Sequence, residues 1–238
     1  VNKLASDTAM VLAAGLGKRM RPLTATRPKP LIPVAGKPLI DHALDRMAEA
    51  GVARAVVNLH YLADALEAHL ALRSAPAVAI SDERDALLET GGGMVRAAGQ
   101  LPDPFFCVNS DNIWLDGPRN VFCELSLAWK PEEMDALLLV VRHTGAFNHE
   151  GAGDFHLDPM GRVRRRRPNG VAPFIFTGIQ LVAKRLLREA PEGAFSTNVL
   201  WDRAMAEGRL YGLVHTGQWF DVGTPGAIAP TQERLTRA

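Results

Sequence analysis

Phosphate chemistry is the first thing the residue pattern offers. An apolar run over residues 8–14 leads directly into Gly15-Leu-Gly-Lys-Arg-Met-Arg-Pro-Leu-Thr24, and Pro28-Lys29-Pro30 follows. Gly15 and Gly17 can turn backbone N–H groups inward, toward phosphate oxygens, without a Cβ in the way. Lys18, Arg19, Arg21 and Lys29 supply cations, and Ala13 and Ala14 end the strand against which such a loop would sit. A solvated basic turn between a strand and a helix uses the same residue types. Two common phosphate loops are excluded at once. A dinucleotide fingerprint needs a third glycine where Met20 stands, and no Gly-Lys-Ser/Thr of a Walker loop is present.

Carboxylates for a cation come next. Val108-Asn-Ser-Asp-Asn112 closes a second apolar run, and ligand sites of open α/β sheets lie at such carboxyl ends. Asp111 is therefore placed to hold Mg²⁺, which takes one or two carboxylates and completes its shell with phosphates and water. Asp221, in Trp219-Phe-Asp-Val-Gly-Thr224, reads in isolation as a turn or cap residue. Leu88-Glu-Thr-Gly-Gly-Gly-Met94 precedes an expected helix. Its glycines suit either close backbone approach to a base, with free N–H groups at the helix start, or an ordinary glycine-rich helix entry. The seven histidines show no metal-ligand spacing, and His42 and His69 fall in expected helices.

The elements that must position these residues alternate. Apolar runs at 8–14, 55–59, 77–81, 105–109 and 135–142 read as buried strands. Between them, helical spacing marks 39–47 (closed by Gly51), 61–72, with Leu62, Leu66, His69 and Leu70 on one side, and 92–100. Residues 151–182 carry short strands and turns and no long helix, which suggests an inserted β portion covering part of a site. A helix at 196–207, capped by Ser196 or Thr197, short strands at 210–216 and 219–222, and a closing helix at 224–235 complete the chain. This alternation predicts an α/β protein with a Rossmann-like doubly wound mixed sheet and a small inserted β portion. A single domain is expected over 1–238, with a first part at about 8–142 and a second at about 143–225.

Bulk composition removes other classes. Net charge is +1 with no aromatic–basic interleaving, against a nucleic-acid partner. No apolar run approaches the roughly 20 residues of a membrane span. Two cysteines without CxxC spacing exclude a disulfide framework and suit a reducing cytoplasm, where a monomer or small homo-oligomer is expected.

The whole N-terminal string, Leu12-Ala-Ala-Gly-x-Gly-x-Arg-x-x-Pro-Leu-Thr, then Pro-Lys-Pro-Leu and Pro-Val-x-Gly-Lys-Pro-Leu-Ile, closely resembles the signature of sugar-1-phosphate nucleotidylyltransferases. That resemblance implies an enzyme in which a sugar phosphate attacks the α-phosphorus of a nucleoside triphosphate in line and pyrophosphate leaves. The nucleophile is already an anion, so positioning and electrostatic stabilisation carry the chemistry and no general base is required. By resemblance Arg19 and Lys29 are catalytic. The planar fork of Arg19 suits the β- and γ-phosphates, and the compact charge of Lys29 suits the reacting phosphate. Ala13, Ala14, Gly15, Gly17, Lys18, Arg19, Lys29, Gly91, Gly92 and Asn109 bind the nucleotide, and Asp111 and Asp221 hold Mg²⁺. The 88–93 segment, with Gly153-Asp-Phe-x-Leu157 and Phe176-Thr-Gly-Ile179, resembles the uridylyltransferases that act on N-acetylmuramic acid 1-phosphate in cell-wall recycling. It implies UTP, or another nucleoside triphosphate, and a sugar 1-phosphate as partners, with Asn112, Asp154, Thr177 and Gly178 at the sugar. Guanylyl-, cytidylyl- or thymidylyltransferases on other hexose or heptose 1-phosphates share much of this pattern. A catalytically silent regulatory subunit would be expected to lack Arg19, Lys29, Asp111 or Asp221, and all four are present. Where many members of the family carry Glu-Lys-Pro, this chain has Arg162-Val-Arg-Arg-Arg-Arg-Pro168. The arginines at 164–167 are either a solvated run or a clamp on an acidic group of the sugar.

Overall fold

In the computed structural model, which describes residues 3–237, the chain begins with β1 (Thr8–Leu12) and crosses a long loop. The loop holds two short 3-10 turns and a hairpin of β2 (Pro33–Val34) and β3 (Lys37–Pro38). Then follow α1 (Leu39–Ala50), β4 (Arg54–Leu59), α2 (Ala63–Leu70), β5 (Ala77–Asp82), α3 (Glu89–Ala97) and β6 (Phe105–Asn109). Next come β7 (Asn112–Leu115), α4 (Val121–Ala128), β8 (Ala136–Arg142), β9 (Ala146–Phe147), β10 (Phe155–Leu157), β11 (Val163–Arg165) and β12 (Phe174–Val182). The chain closes with α5 (Asn198–Ala206), β13 (Leu210–Val214), β14 (Gln218–Asp221) and α6 (Ile228–Arg237).

Four strands, β5, β4, β1 and β6, run parallel side by side. Here β12 inserts antiparallel between β6 and β8, and β13 lies parallel beyond β8. The sheet is therefore mixed, with helices on both faces. Alternation along β1 shows why the run had to be apolar throughout. Ala9 and Val11 face the core covered by α1, α2 and α4, while Met10 faces the core covered by α3 and α5. The β portion expected within 151–182 is present as β10, β11 and β12, hydrogen-bonded into the same sheet.

Several boundaries differ from the sequence reading for local reasons. Leu62 stands outside α2 in a left-handed conformation (φ 49°) and is exposed, so only Leu66 and Leu70 of the expected stripe are buried. His69 turns to Asp41 instead. Thr197 caps α5 by position but its side chain makes no capping bond, whereas Ser196 Oγ accepts from Asn198 N at 3.3 Å. The short β7 and the helix α4 were not foreseen, although Asp116-Gly117-Pro118 marks the turn between them and Asn120 caps α4, its Oδ1 accepting from Phe122 N at 2.9 Å. A register shift in β12 between Phe176 and Ile179 places Gly178 at φ 80°, where a Cβ would stand 1.9 Å from Asn112 Nδ2.

A third apolar cluster lies off the main sheet. Met20 from the glycine loop, Ile32 and Val34, Ile113 of β7, and Phe220 and Val222 around Asp221 are all buried in it. Met20, which blocks the dinucleotide motif, is thus a core residue at 0% exposure. Met20→Ala is expected to cost about 2–5 kcal/mol, lowering Tm by at least roughly 4 °C at this chain length. The volume-conserving Met20→Leu should cost less than about 1.5 kcal/mol. Equal shifts for the two variants in a thermal melt would remove Met20 from this packing role.

Candidate active site

A cleft of about 560 Å³ opens at the carboxyl ends of β1 and β6, and the chain from Leu12 to Met20 lines it without a break. Ala13, Ala14, Gly15, Gly17, Lys18 and Arg19 therefore stand where the sequence placed them, along with Lys29, Asn109 and Asp111. Gly17 adopts φ 60° at the entry to the 3-10 turn that carries Lys18 and Arg19. Neither of these cations is ion-paired among the described residues, so both are available to an anion. Lys29 is nearly enclosed, its side chain 12% exposed, and its ammonium donates to Asp111 Oδ2 at 2.5 Å.

The two expected metal carboxylates arrive from different strands. Asp221 ends β14, which pairs antiparallel with β7, and in that register Asp221 faces Asn112 directly. Residues so opposed lie about 4.5–5.5 Å apart at Cα, so Asp221 stands next to the chain at Asp111. Gly223 leaves room for Arg19 at the same edge: a Cβ there would be 2.8 Å from Asp221 Oδ1 and 3.3 Å from Arg19 Nη1. His149 approaches Asp221 Oδ2 with Nδ1 at 3.5 Å and keeps a buried Nε2 without a hydrogen bond. Asp111 lines the cleft beside the glycine loop and Asp221 stands at its edge next to Gly223; carboxylates are the donor type that Mg²⁺ takes beside phosphates.

The glycine triplet sits inside the first turn of α3 rather than before the helix. Its expected free N–H groups are already used: Gly91 N and Gly92 N both donate to Phe195 O, at 2.8 and 3.2 Å. A Cβ on Gly91 would stand 2.3 Å from the Phe195 ring, and one on Gly92 2.4 Å from Gly193 O. These two glycines thus admit the 193–197 segment, and the cleft lining from this region comes from Leu87, Glu89 and Thr90. Gly93 faces a buried polar pair, since a Cβ there would be 2.9 Å from both Asn58 Nδ2 and Glu83 Oε1. Asn58 donates to Glu83 Oε1 at 2.8 Å and accepts from Ala13 N at 2.6 Å, which fixes the backbone at the start of the loop. Glu83 is fully buried, with Oε2 unpartnered, and burial pushes its carboxyl above its ordinary 4.5.

A second cleft, of about 440 Å³, adjoins the first and shares Leu12, Thr90, Asn109 and Ser196 with it. Asp154 lines it and accepts from Phe176 N with Oδ2 at 2.9 Å. Asn112 and Asn109 both turn their amides toward the Gly178 bulge, and Asn112 Nδ2 is buried with no partner. Thr177 departs from its expected place at the sugar. Its side chain is fully buried, its hydroxyl donates to Leu139 O, and its carbonyl holds the Trp219 indole. Gln180, Trp201 and Thr197 line this cleft and were not foreseen, because each reads in sequence as an ordinary core or cap residue. Asn58 was missed although a polar residue inside an apolar strand run was the available signal, and Glu83 was missed because it stands in the polar stretch that follows β5. Thiol chemistry is not supported at Cys107, where burial pushes the pKa up to about 12 and keeps the group protonated.

A glycine loop with unpaired cations, two carboxylates at one edge and two adjoining clefts define a protein that handles phosphates beside a second ligand. A family model described as nucleotidyl transferase matches residues 8–124. Over 239 aligned residues the chain is 44% identical to the N-acetylmuramate alpha-1-phosphate uridylyltransferase of Caulobacter vibrioides, covering 98% of this chain and 99% of that protein. It is 38% identical to the protein of the same name from Neisseria meningitidis serogroup B, covering 91% and 93%. The inositol-1-phosphate CTP transferase from T. maritima has the same fold, with a TM-score of 0.79 at 18% identity over 98% of this chain and 96% of that one. The chain belongs to the nucleotidyl transferase family, enzymes that transfer a nucleotidyl group to a sugar 1-phosphate.

The buried Glu83 gives this site a pH signature. A carboxyl whose folded pKa is raised favours folding while protonated, and that contribution is lost as pH climbs from about 4.5 through the raised value. Glu83→Gln keeps the bond from Asn58 and removes the charge. Its unfolding free energy should therefore gain on the parent's as pH rises above 4.5, levelling off once Glu83 is ionised. Parallel pH profiles in urea titrations would show that Glu83 does not titrate as a buried group.

Proposed function

We propose that the chain is a Mg²⁺-dependent uridylyltransferase joining UTP to N-acetyl-α-muramic acid 1-phosphate, with release of pyrophosphate. The observation that carries this reading is the 44% identity to a relative of that name along nearly the whole of both chains, together with the two adjoining clefts. The nucleotide-handling part, about 8–142, and the sugar-handling part, about 143–225, would meet along the shared wall of Leu12 and Asn109. Free cysteines at Cys107 and Cys123, and the lack of any helix long and apolar enough to cross a membrane among the described residues, support a cytoplasmic setting.

The reaction forms a bond between a sugar-phosphate oxygen and the α-phosphorus and breaks the bond from that phosphorus to the pyrophosphate oxygen. The N–H groups of residues 14–18 and the Arg19 fork would take the triphosphate, with Arg19 facing the charge that develops as pyrophosphate leaves. Lys29 would leave Asp111 for the reacting phosphate when substrates arrive. Leu87, Glu89 and Thr90 would meet the base, Asn109, shared by both clefts, would stand between the two ligands, and Asp154 would meet the sugar, while Asn112 and Gly178 line neither cleft. Asp111 and Asp221 would hold Mg²⁺, which supplies charge neutralisation at the phosphates.

Four nucleoside triphosphates tested against several sugar 1-phosphates, scored by pyrophosphate release, should give UTP with N-acetylmuramic acid 1-phosphate as the best pair. A preference for GTP with a mannose-type phosphate would overturn the substrate reading. Asp111→Ala and Asp221→Ala should each lower turnover by orders of magnitude with the fold intact by circular dichroism; near-normal turnover of Asp221→Ala at saturating Mg²⁺ would remove it from the metal site. Lys29→Arg should lose at least roughly tenfold in kcat, because a wide fork cannot occupy an enclosed ammonium position. A rate within about threefold of the parent would take Lys29 off the catalytic set.

A further inference from the structure

The structure divides the arginine run between solvent and the second cleft. Arg164, Arg165 and Arg167 are exposed and Arg166 is half-buried, and of the four Arg165 and Arg166 line the cleft. Alternation along β11 explains the first pair of fates, since Arg165 lies opposite Phe155 in register and Arg164 opposite His156, on the other face. Arg165 is committed: its guanidinium sits over the Phe155 ring and bonds Asp202 Oδ1 through Nε and Nη2. Arg166 is held but not neutralised. Nε donates to Gly153 O at 2.9 Å and Nη1 to Gly170 O at 3.0 Å, while Nη2 donates to no group and no carboxylate pairs with it among the described residues. Two backbone carbonyls thus orient a planar cation whose remaining edge is unassigned. Beside it, Thr197 lines the same cleft with a buried hydroxyl that has no partner.

We infer that Arg166, supported by Arg165, is the specificity-determining site for a second anion on the sugar, a carboxylate separate from the reacting phosphate. The reacting phosphate belongs with Lys29 and Asp111, and these line the first cleft and not the second. Arg165 and Arg166 line only the second. Arg165 is already paired with Asp202, so of the two arginines lining that cleft Arg166 alone is left without a carboxylate partner among the described residues, and the one carboxylate in the lining, Asp154, accepts from Phe176 N. A partly buried cation facing a neutral sugar would lose hydration without a compensating charge. The inference rests on the proposed substrate and assigns its lactyl carboxylate to Arg166.

The test uses the full chain with UTP and three sugar 1-phosphates: the N-acetylmuramic acid form, the same molecule with its lactyl carboxylate converted to the carboxamide, and the N-acetylglucosamine form. The parent should prefer carboxylate over carboxamide. In Arg166→Gln the kcat/KM ratio of carboxylate to carboxamide should fall about ten- to a hundredfold, as expected for a charge-assisted hydrogen bond. Arg165→Gln, which tests the supporting role in a different loop environment, should lower it less. Each ratio is measured within one protein preparation, so a loss of folded fraction cancels. Arg164→Gln and Arg167→Gln, exposed and outside the cleft, should leave the ratio at the parent value. A parent preference that survives Arg166→Gln within threefold would overturn the inference and leave the substrate reading standing. A fall as large in Arg164→Gln would also overturn it, since the net field would then suffice. A parent that uses the muramic and glucosamine forms equally would overturn the substrate reading itself, and the carboxylate site with it.

Discussion

Each side chain proposed to act on phosphate or metal stands near, in sequence, a residue of one small apolar cluster. Met20 follows Arg19, Ile32 stands three residues after Lys29, Ile113 two after Asp111, and Phe220 and Val222 bracket Asp221. Water drives these apolar groups together, and in doing so brings their polar neighbours to a common edge. Charge alone would not do this. Arg19 and Lys18 lack carboxylate partners, and concentrating cations in a cleft costs free energy until an anion arrives. The cluster supplies an attraction independent of charge, so the site can stay assembled while electrostatically unsatisfied. That is the condition under which a phosphate gains most from binding.

The main sheet performs a different task. Parallel pairing of β1 and β6 sets the glycine loop and Asn109 at one level, and β12, entering antiparallel, contributes its bulge at Gly178 to the same level. Asn112 and Asn109 crowd that bulge with their amides. The Lys29–Asp111 pair then crosses from the loop to the strand end, and Asn58 ties the loop back to β4 through Ala13 N. The strands thus fix these polar atoms at the edge of the cleft.

Much of this was legible in sequence, and what was not has physical causes. The buried strands announced themselves because parallel strands need apolar residues on both faces, and α1 did so through its spacing and Gly51. The loop residues 13–19, Lys29, Asn109 and Asp111 line one cleft, and a short contiguous motif could point to it because it encodes a contiguous structure. The β7–β14 pairing joins segments far apart in sequence, and no local pattern encodes such a register; Asp221 could be placed only by resemblance. Thr177 and the glycines of α3 misled for a related reason. A motif records which residues a fold requires there and does not say whether a ligand or another part of the chain requires them. For Gly91 the close neighbour is Phe195 and for Gly92 it is Gly193. The arginine run was equally ambiguous until strand alternation divided it.

The contact between α3 and the 193–197 segment bears on both clefts at once. Phe195 O accepts from Gly91 N and Gly92 N, Phe195 N donates to Leu88 O, and Thr197 N donates to Thr90 Oγ1. Thr90 and Ser196 each belong to the walls of both clefts. The partition between the clefts is a hydrogen-bonded plate rather than two independent surfaces. The two compartments are therefore bounded by one wall, and the same few hydrogen bonds set its position for both.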